Sequence, residues 1–156
     1  FLRPSYFMQN LSTLLLPDIL NKQRIALPAG RACFNWVDIE NVAELAALMI
    51  HAFDSFRKRK VDFCGPHNYT LNEVVAVLNH VQITEPVKYR PTFIFQYILN
   101  ARKEGMSFKL IRRHLLYFLL LRYRPEPCIS KLYEDVTGKK PTNLRNFLLR
   151  ERACFV

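Results

Sequence analysis

Apolar and polar positions along the chain alternate between two periods, and the chain sorts into strands and helices accordingly. Phe1-Leu2-Arg3-Pro4 reads as the end of a buried strand. Over residues 5–20 the apolar side chains Phe7, Leu11, Leu14 and Leu15 fall at helical spacing and Pro17 comes near the end, so one helix is predicted there. Residues 24–27 form a short strand and Pro28-Ala29-Gly30 a turn. Cys33-Phe34-Asn35-Trp36-Val37 is a further strand. Asp38 then caps a helix whose inner face carries Val42, Leu45, Ala46, Met49, Ile50 and Phe53. That helix runs into Arg57-Lys58-Arg59-Lys60, where cations complement the carboxy-terminal end of its dipole.

Residues 61–64 are the next strand, closed by Gly65-Pro66. Thr70-Leu71-Asn72-Glu73 matches a capping box, in which the Thr70 hydroxyl takes the Glu73 amide and Glu73 reaches back. The helix behind it turns Val74, Val77, Leu78 and Val81 inward, and residues 87–90 make a last strand before Pro91. Strand and helix alternate up to this point, the signature of a parallel α/β sheet. Beyond it the pattern is helical. Helices are predicted over 92–104 and 108–123, separated by Gly105, the second with Leu110, Ile111, His114, Leu115, Phe118 and Leu119 on one side. Pro125 and Pro127 break it, Ser130 caps a short helix ending at Gly138, and Pro141-Thr142-Asn143 starts a final helix with Leu144, Phe147 and Leu148 inward. The fold class is therefore α/β, a single domain over 1–156 with an α/β part (1–90) followed by an all-helical part (91–156).

Composition narrows the class. With 156 residues, half of them hydrophobic, the chain can bury one ordinary core. No stretch approaches the roughly 18 uninterrupted apolar residues of a membrane span. The nearest, 115–121, is flanked by Arg112, Arg113, Arg122 and Arg124 and reads as a buried helix, with a membrane-surface helix as the alternative. Cys33, Cys64, Cys128 and Cys154 are too dispersed for a zinc knuckle or redox pair, so reduced thiols in a cytoplasmic protein are expected. The formal charge of +10 is uneven: Lys88, Arg90, Arg102, Lys103, Lys109, Arg112, Arg113, Arg122 and Arg124 share their segment with Glu104 alone. Such a face attracts phosphates, acidic proteins or anionic headgroups, or is simply solvated. Tyr89, Phe93, Phe95, Tyr97, Tyr117 and Tyr123 lie among these cations and are suited to base stacking, although their helical spacing points to core packing.

Four short blocks, in order, are similar to the carboxy-terminal half of NmrA-like proteins, atypical members of the short-chain dehydrogenase/reductase group. Leu2-Arg3-Pro4-Ser5-Tyr6-Phe7-Met8-Gln9-Asn10 resembles the family's "LRPxxFMxN" segment. Leu27-Pro28-Ala29-Gly30 with Trp36-Val37-Asp38-Ile39-Glu40-Asn41-Val42-Ala43 resembles "lPxG…fVDvxDva". Cys64-Gly65-Pro66 through Thr70-Leu71-Asn72-Glu73 resembles "tGPexltxxE", and Thr137-Gly138-Lys139-Lys140-Pro141-Thr142-Asn143-Leu144 with Phe147 resembles "tGrxPtsleeF". The resemblance implies a partial Rossmann-like fold, NAD(P) as cofactor, and a substrate lobe beside the nicotinamide. It places Arg3, Pro4, Tyr6, Phe7, Met8 and Asn10 at that cleft. Arg3 either holds phosphate or pairs within the fold; Phe7 and Met8 either face the cleft or are core; Asn10 either contacts substrate or caps a helix.

The chemistry of a complete dehydrogenase is not written in these residues. A pyrophosphate needs closely spaced glycines at a helix start, whereas Gly30, Gly65, Gly105 and Gly138 are each at least 33 residues apart. No tyrosine is followed four residues later by lysine, so the reductase pair that lowers a tyrosine pKa is missing. His51, His67, His80 and His114 are not spaced as metal ligands, and His114 on an apolar helical face reads as a core histidine. Asp38 reads as a helix cap rather than an acid catalyst. The expectations are a substrate-binding portion of an NAD(P)-dependent oxidoreductase or NAD(P)H-sensing protein, inactive alone, with its amino-terminal half or an oligomer partner completing the sheet. The alternatives are a non-enzymatic module binding an acidic protein through the 88–124 face, and a basic nucleic-acid-binding domain.

Overall fold

A computed structural model of the chain describes residues 1–81, 85–123 and 131–155. Its elements follow the predicted alternation. β1 (Leu2–Pro4) and β2 (Tyr6–Phe7) lead through a 3-10 turn (Met8–Asn10) to α1 (Leu16–Lys22) and β3 (Arg24–Ile25). β4 (Cys33–Val37), α2 (Ile39–His51), α3 (Phe53–Phe56), β5 (Val61–Phe63), β6 (Asn68–Thr70), α4 (Leu71–Val81) and β7 (Lys88–Tyr89) complete the α/β portion. α5 (Ile94–Lys103), α6 (Phe108–Tyr123), α7 (Leu132–Thr137) and α8 (Leu144–Arg150) form the helical portion, and a 3-10 turn (Arg152–Phe155) ends it. Ser130, Pro125, Pro127, Cys128 and Arg124 lie outside the described residues.

Three small sheets replace one continuous one. β1 pairs with β5, β2 with β4 and β3 with β7, all parallel, while β4 pairs antiparallel with β6 on its other edge. β6 was not predicted: Asn68-Tyr69-Thr70 is too short and polar to show a period, and its pairing with Cys33–Asn35 is what makes it a strand. The predicted helix over 5–20 is also corrected. Tyr6 and Phe7 are claimed by the parallel register with Trp36 and Val37, and Pro17 opens α1 instead of closing a helix. Proline fits the first helical turn, where an N–H has no partner anyway.

Caps hold as predicted. Asp38 accepts the Glu40 amide at 3.2 Å, and the Thr70–Glu73 box closes with Thr70 N–H donating to Glu73 Oε2 at 2.7 Å and the Glu73 amide to Thr70 Oγ1 at 3.3 Å. Gly138 takes φ 70° just past α7, and Asn143 caps α8 by accepting the Asn146 amide at 2.8 Å.

One principal core joins the two portions. Met8, Phe34, Trp36, Leu71, Val74 and Leu78 pack with Ile111, Phe118, Leu144, Phe147 and Leu148, all buried. A second cluster of Val37, Leu45, Phe63 and Tyr133 lies on the other side of β4, so this strand is buried on both faces. The inner face of α2 is narrower than predicted: Ile50 and Phe53 are exposed, because the helix ends at His51 beyond the reach of either core. Gly65 marks the tightest approach. A Cβ there would stand 1.9 Å from the Trp36 carbonyl oxygen, and Asn35 holds the glycine from both sides, accepting its N–H at 2.5 Å and donating to its carbonyl at 3.2 Å.

Candidate functional site

The parallel pairing of β2 with β4 fixes the site's floor. Tyr6 lies opposite Trp36 in register, with their rings edge to face at 4.9 Å. The chain then coils at once into the 3-10 turn, which turns Asn10 back toward the same side. Helix α6 crosses above β4 and brings Arg113, His114 and Tyr117 over that end of the strand. Tyr117 stacks on Tyr6 at 5.7 Å and 11°. The result is a cleft of about 230 Å³ lined by Pro4, Ser5, Tyr6, Phe7, Asn10, Arg113, His114 and Tyr117, more apolar than polar.

Of the residues implicated from sequence, Pro4, Tyr6, Phe7 and Asn10 come together here. Arg3 and Met8 do not. Arg3 is held outward by Asp62, its register partner on β5, through Nε–Oδ1 and Nη2–Oδ2 contacts of 2.7 Å each. Met8 is fully buried in the principal core. Asn10 caps no helix, since the residue flanking the start of α1 is Leu15. Ser5, Arg113 and Tyr117 were missed. In the sequence Arg113 reads as part of the basic face over 88–124, and Tyr117, by its helical spacing, as core packing.

The site's electrostatics are set by burial. The Tyr6 hydroxyl is buried with no partner in good hydrogen-bond geometry, and burial, then the neighbouring Tyr97, pushes its pKa far above the usual phenol value, against a smaller downward pull from a weak hydrogen bond of the Asn10 side chain. The phenol is therefore fixed in its protonated form. His114 shares a proton with Tyr97, Nδ1 to hydroxyl 2.9 Å, so the histidine is partnered as predicted although it also lines the cleft. Burial, then the Arg113 guanidinium, holds His114 below the ordinary imidazole value.

The aromatic residues among the cations divide. Tyr97 is buried, but Phe93, Phe95 and Tyr123 are exposed, a correction to the predicted core packing. They fall on the outer face of the α5–α6 pair, where nothing in the described chain covers them. No group of three or more potential metal ligands occurs among the described residues. Nor is any helix of the described residues long and apolar enough to cross a membrane.

Similar solved structures decide the architecture. An Escherichia coli NADPH-dependent quinone oxidoreductase, solved with NADPH, superposes with a TM-score of 0.79 at 18% identity over 96% of this chain and 52% of its own. The fold is an α/β one shared with about half of that chain. A nucleoside-diphosphate-sugar epimerase from Staphylococcus aureus gives 0.78 at 20% identity, covering 95% of this chain and 50% of its own. A triphenylmethane reductase from Citrobacter sp., complexed with NADP(H), gives 0.75 at 14%, covering 96% and 51%. The chain thus spans about half the length of the structures it matches. No family model and no curated protein sequence matches the chain.

Gly30 lies at a turn against the Arg122 guanidinium, Gly65 is filled by the Trp36 carbonyl, and Gly105 and Gly138 follow the ends of α5 and α7.

Proposed function

We propose that this chain is the substrate-cleft half of a cytosolic NAD(P)-dependent oxidoreductase, with its dinucleotide held by a glycine-rich half outside these residues. The observation that carries the reading is the convergence of Pro4, Tyr6, Phe7 and Asn10 with α6 in one aromatic cleft. A nicotinamide, when bound, supplies the hydride. The chain's own residues orient and dehydrate: Tyr6 and Tyr117 wall the cleft for a planar acceptor, Asn10 offers an amide, and Pro4 fixes the exit from β1. His114, kept neutral, leaves the cleft's charge to Arg113.

The test has two arms. NADPH titrated calorimetrically into the chain alone should bind weakly; tight, saturable binding overturns the division of labour. The chain fused behind the Rossmann half of the structurally similar quinone oxidoreductase should oxidise NADPH with a quinone acceptor. A fusion that folds and binds NADPH yet oxidises none overturns the catalytic reading.

That last result would favour a second reading, a non-enzymatic module that docks an acidic partner. The observation behind it is an open groove of about 780 Å³ along α6 lined by Ser107, Lys109, Leu110, Arg112, Arg113 and Leu116. Its mixture of cations and leucines suits an acidic amphipathic helix. Binding of such a peptide that falls with salt and is lost on Lys109→Glu supports this reading; nucleic acid bound with a steeper salt slope would replace it.

A further inference from the structure

Arg113 lines both the aromatic cleft and the larger groove along α6, standing where the two meet. It makes no ion pair or hydrogen bond with the described residues. Neither cavity has an aspartate or glutamate in its lining, while Lys109 and Arg112 stand in the groove behind Arg113. The stacked Tyr6 and Tyr117 rings also line the cleft.

We propose that the cleft selects a planar aromatic molecule carrying an anionic group, of the aromatic carboxylate class. The ring lies against Tyr6 and Tyr117, and the carboxylate meets the Arg113 guanidinium at the junction of the two cavities. The inference rests on the cleft being the substrate site and specifies what that site takes. Three considerations fix the class. A guanidinium presents a planar fork that matches a carboxylate with two parallel hydrogen bonds. The exposed cations Lys109, Arg112 and Arg113 along the open groove attract anions to it. The volume, about 230 Å³, is below the roughly 300–1,000 Å³ of drug-sized sites, which limits the ring portion to a small bicycle. The same field disfavours cationic aromatic dyes.

The test uses three probes of one shape: 2-naphthoate, its neutral amide 2-naphthamide, and a naphthyl trimethylammonium. Their binding to the chain is followed by NMR at low ionic strength. Naphthoate should bind about fivefold more tightly than naphthamide, the range of one partly exposed ion pair. Arg113→Gln should abolish that preference and leave naphthamide affinity unchanged, while Arg112→Gln retains the preference. Equal affinity for acid and amide, tightest binding of the ammonium probe, or an equal loss in R112Q overturns the anionic class while leaving an aromatic cleft. If none of the three probes binds, the cleft reading itself fails along with it.

Discussion

Arg150 grips Asp38 with both ends of its guanidinium, Nη1 to Oδ2 at 2.9 Å and Nη2 to Oδ1 at 3.2 Å. The pair joins the last turn of α8 to the first turn of α2, across 112 residues of sequence. The Asp38 carboxylate is wholly buried and also receives the Gln9 amide at 2.7 Å, while Gln9 accepts the Ile39 N–H at 3.1 Å. Gln9 belongs to the turn that delivers Asn10, so the pair also steadies the cleft's floor. Removing Arg150 leaves a buried carboxylate without its cation. Arg150→Met should destabilise the fold by about 3 kcal/mol in urea titration, and Asp38→Asn paired with Arg150→Met should recover part of that loss.

The same carboxylate gives the fold an acid limit. Burial by itself would raise the Asp38 pKa, but hydrogen bonds from Arg150, Gln9 and the Glu40 amide outweigh it and bring the value below the ordinary carboxylate range. A group depressed in the folded state stabilises it fully above its unfolded pKa, and that contribution is lost as pH falls through the folded value. The wild-type chain should therefore lose stability as pH falls below about 4. In Asp38→Asn the same titration should be flatter over that window, and an unchanged slope would assign the acid limit to other groups.

Gly65 is required by space. The Trp36 carbonyl that a Cβ would strike at 1.9 Å is backbone of the twice-buried β4 and has nowhere to move. Gly65→Ala should cost about 3 kcal/mol or more, read as a fall in melting temperature or in folded yield. Gly105→Ala, with nothing within 4 Å but φ 81°, bears only the backbone penalty and should lose less.

His114 reports on Arg113. Its imidazole should titrate below 6.5 in the folded chain, by NMR of the ring protons. Because the folded value is depressed, the neutral ring's stabilisation is complete above the unfolded pKa and is lost as pH falls toward the folded one. Arg113→Gln removes the smaller, electrostatic cause and leaves burial. The His114 value should then rise while remaining under 6.5, and no change would mean that Arg113 does not face the ring.

How far the sequence carried these conclusions depended on the range of each contact. The Thr70–Glu73 box, the Asp38 and Asn143 caps and the Gly138 end signal are local, and all were readable three residues at a time. β6 was not, because Asn68–Thr70 becomes a strand only by pairing with β4. Residues 5–20 misled for the same reason: their helical spacing is real, but Tyr6 and Phe7 are taken by Trp36 and Val37 some 30 residues on. Half of the cleft was visible as a family-like segment at Pro4–Asn10. The other half, Arg113 and Tyr117, is brought in by the packing of α6 over β4, whereas in sequence Arg113 reads as basic face and Tyr117 as core.

Tyr6 provides the last prediction. Its hydroxyl is buried and unpartnered, which costs about 1–3 kcal/mol relative to a satisfied group. Its ring, however, is firmly placed by Tyr117 and Trp36. Tyr6→Phe keeps both ring contacts and deletes the unsatisfied oxygen, so thermal unfolding should show a gain of about 1 kcal/mol. Tyr6→Ala, which also removes the rings' partner, should lose about 3 kcal/mol or more. Tyr6→Phe should accordingly be the more stable chain. If it instead loses stability, the hydroxyl has a partner in solution, and its place in the cleft is structural.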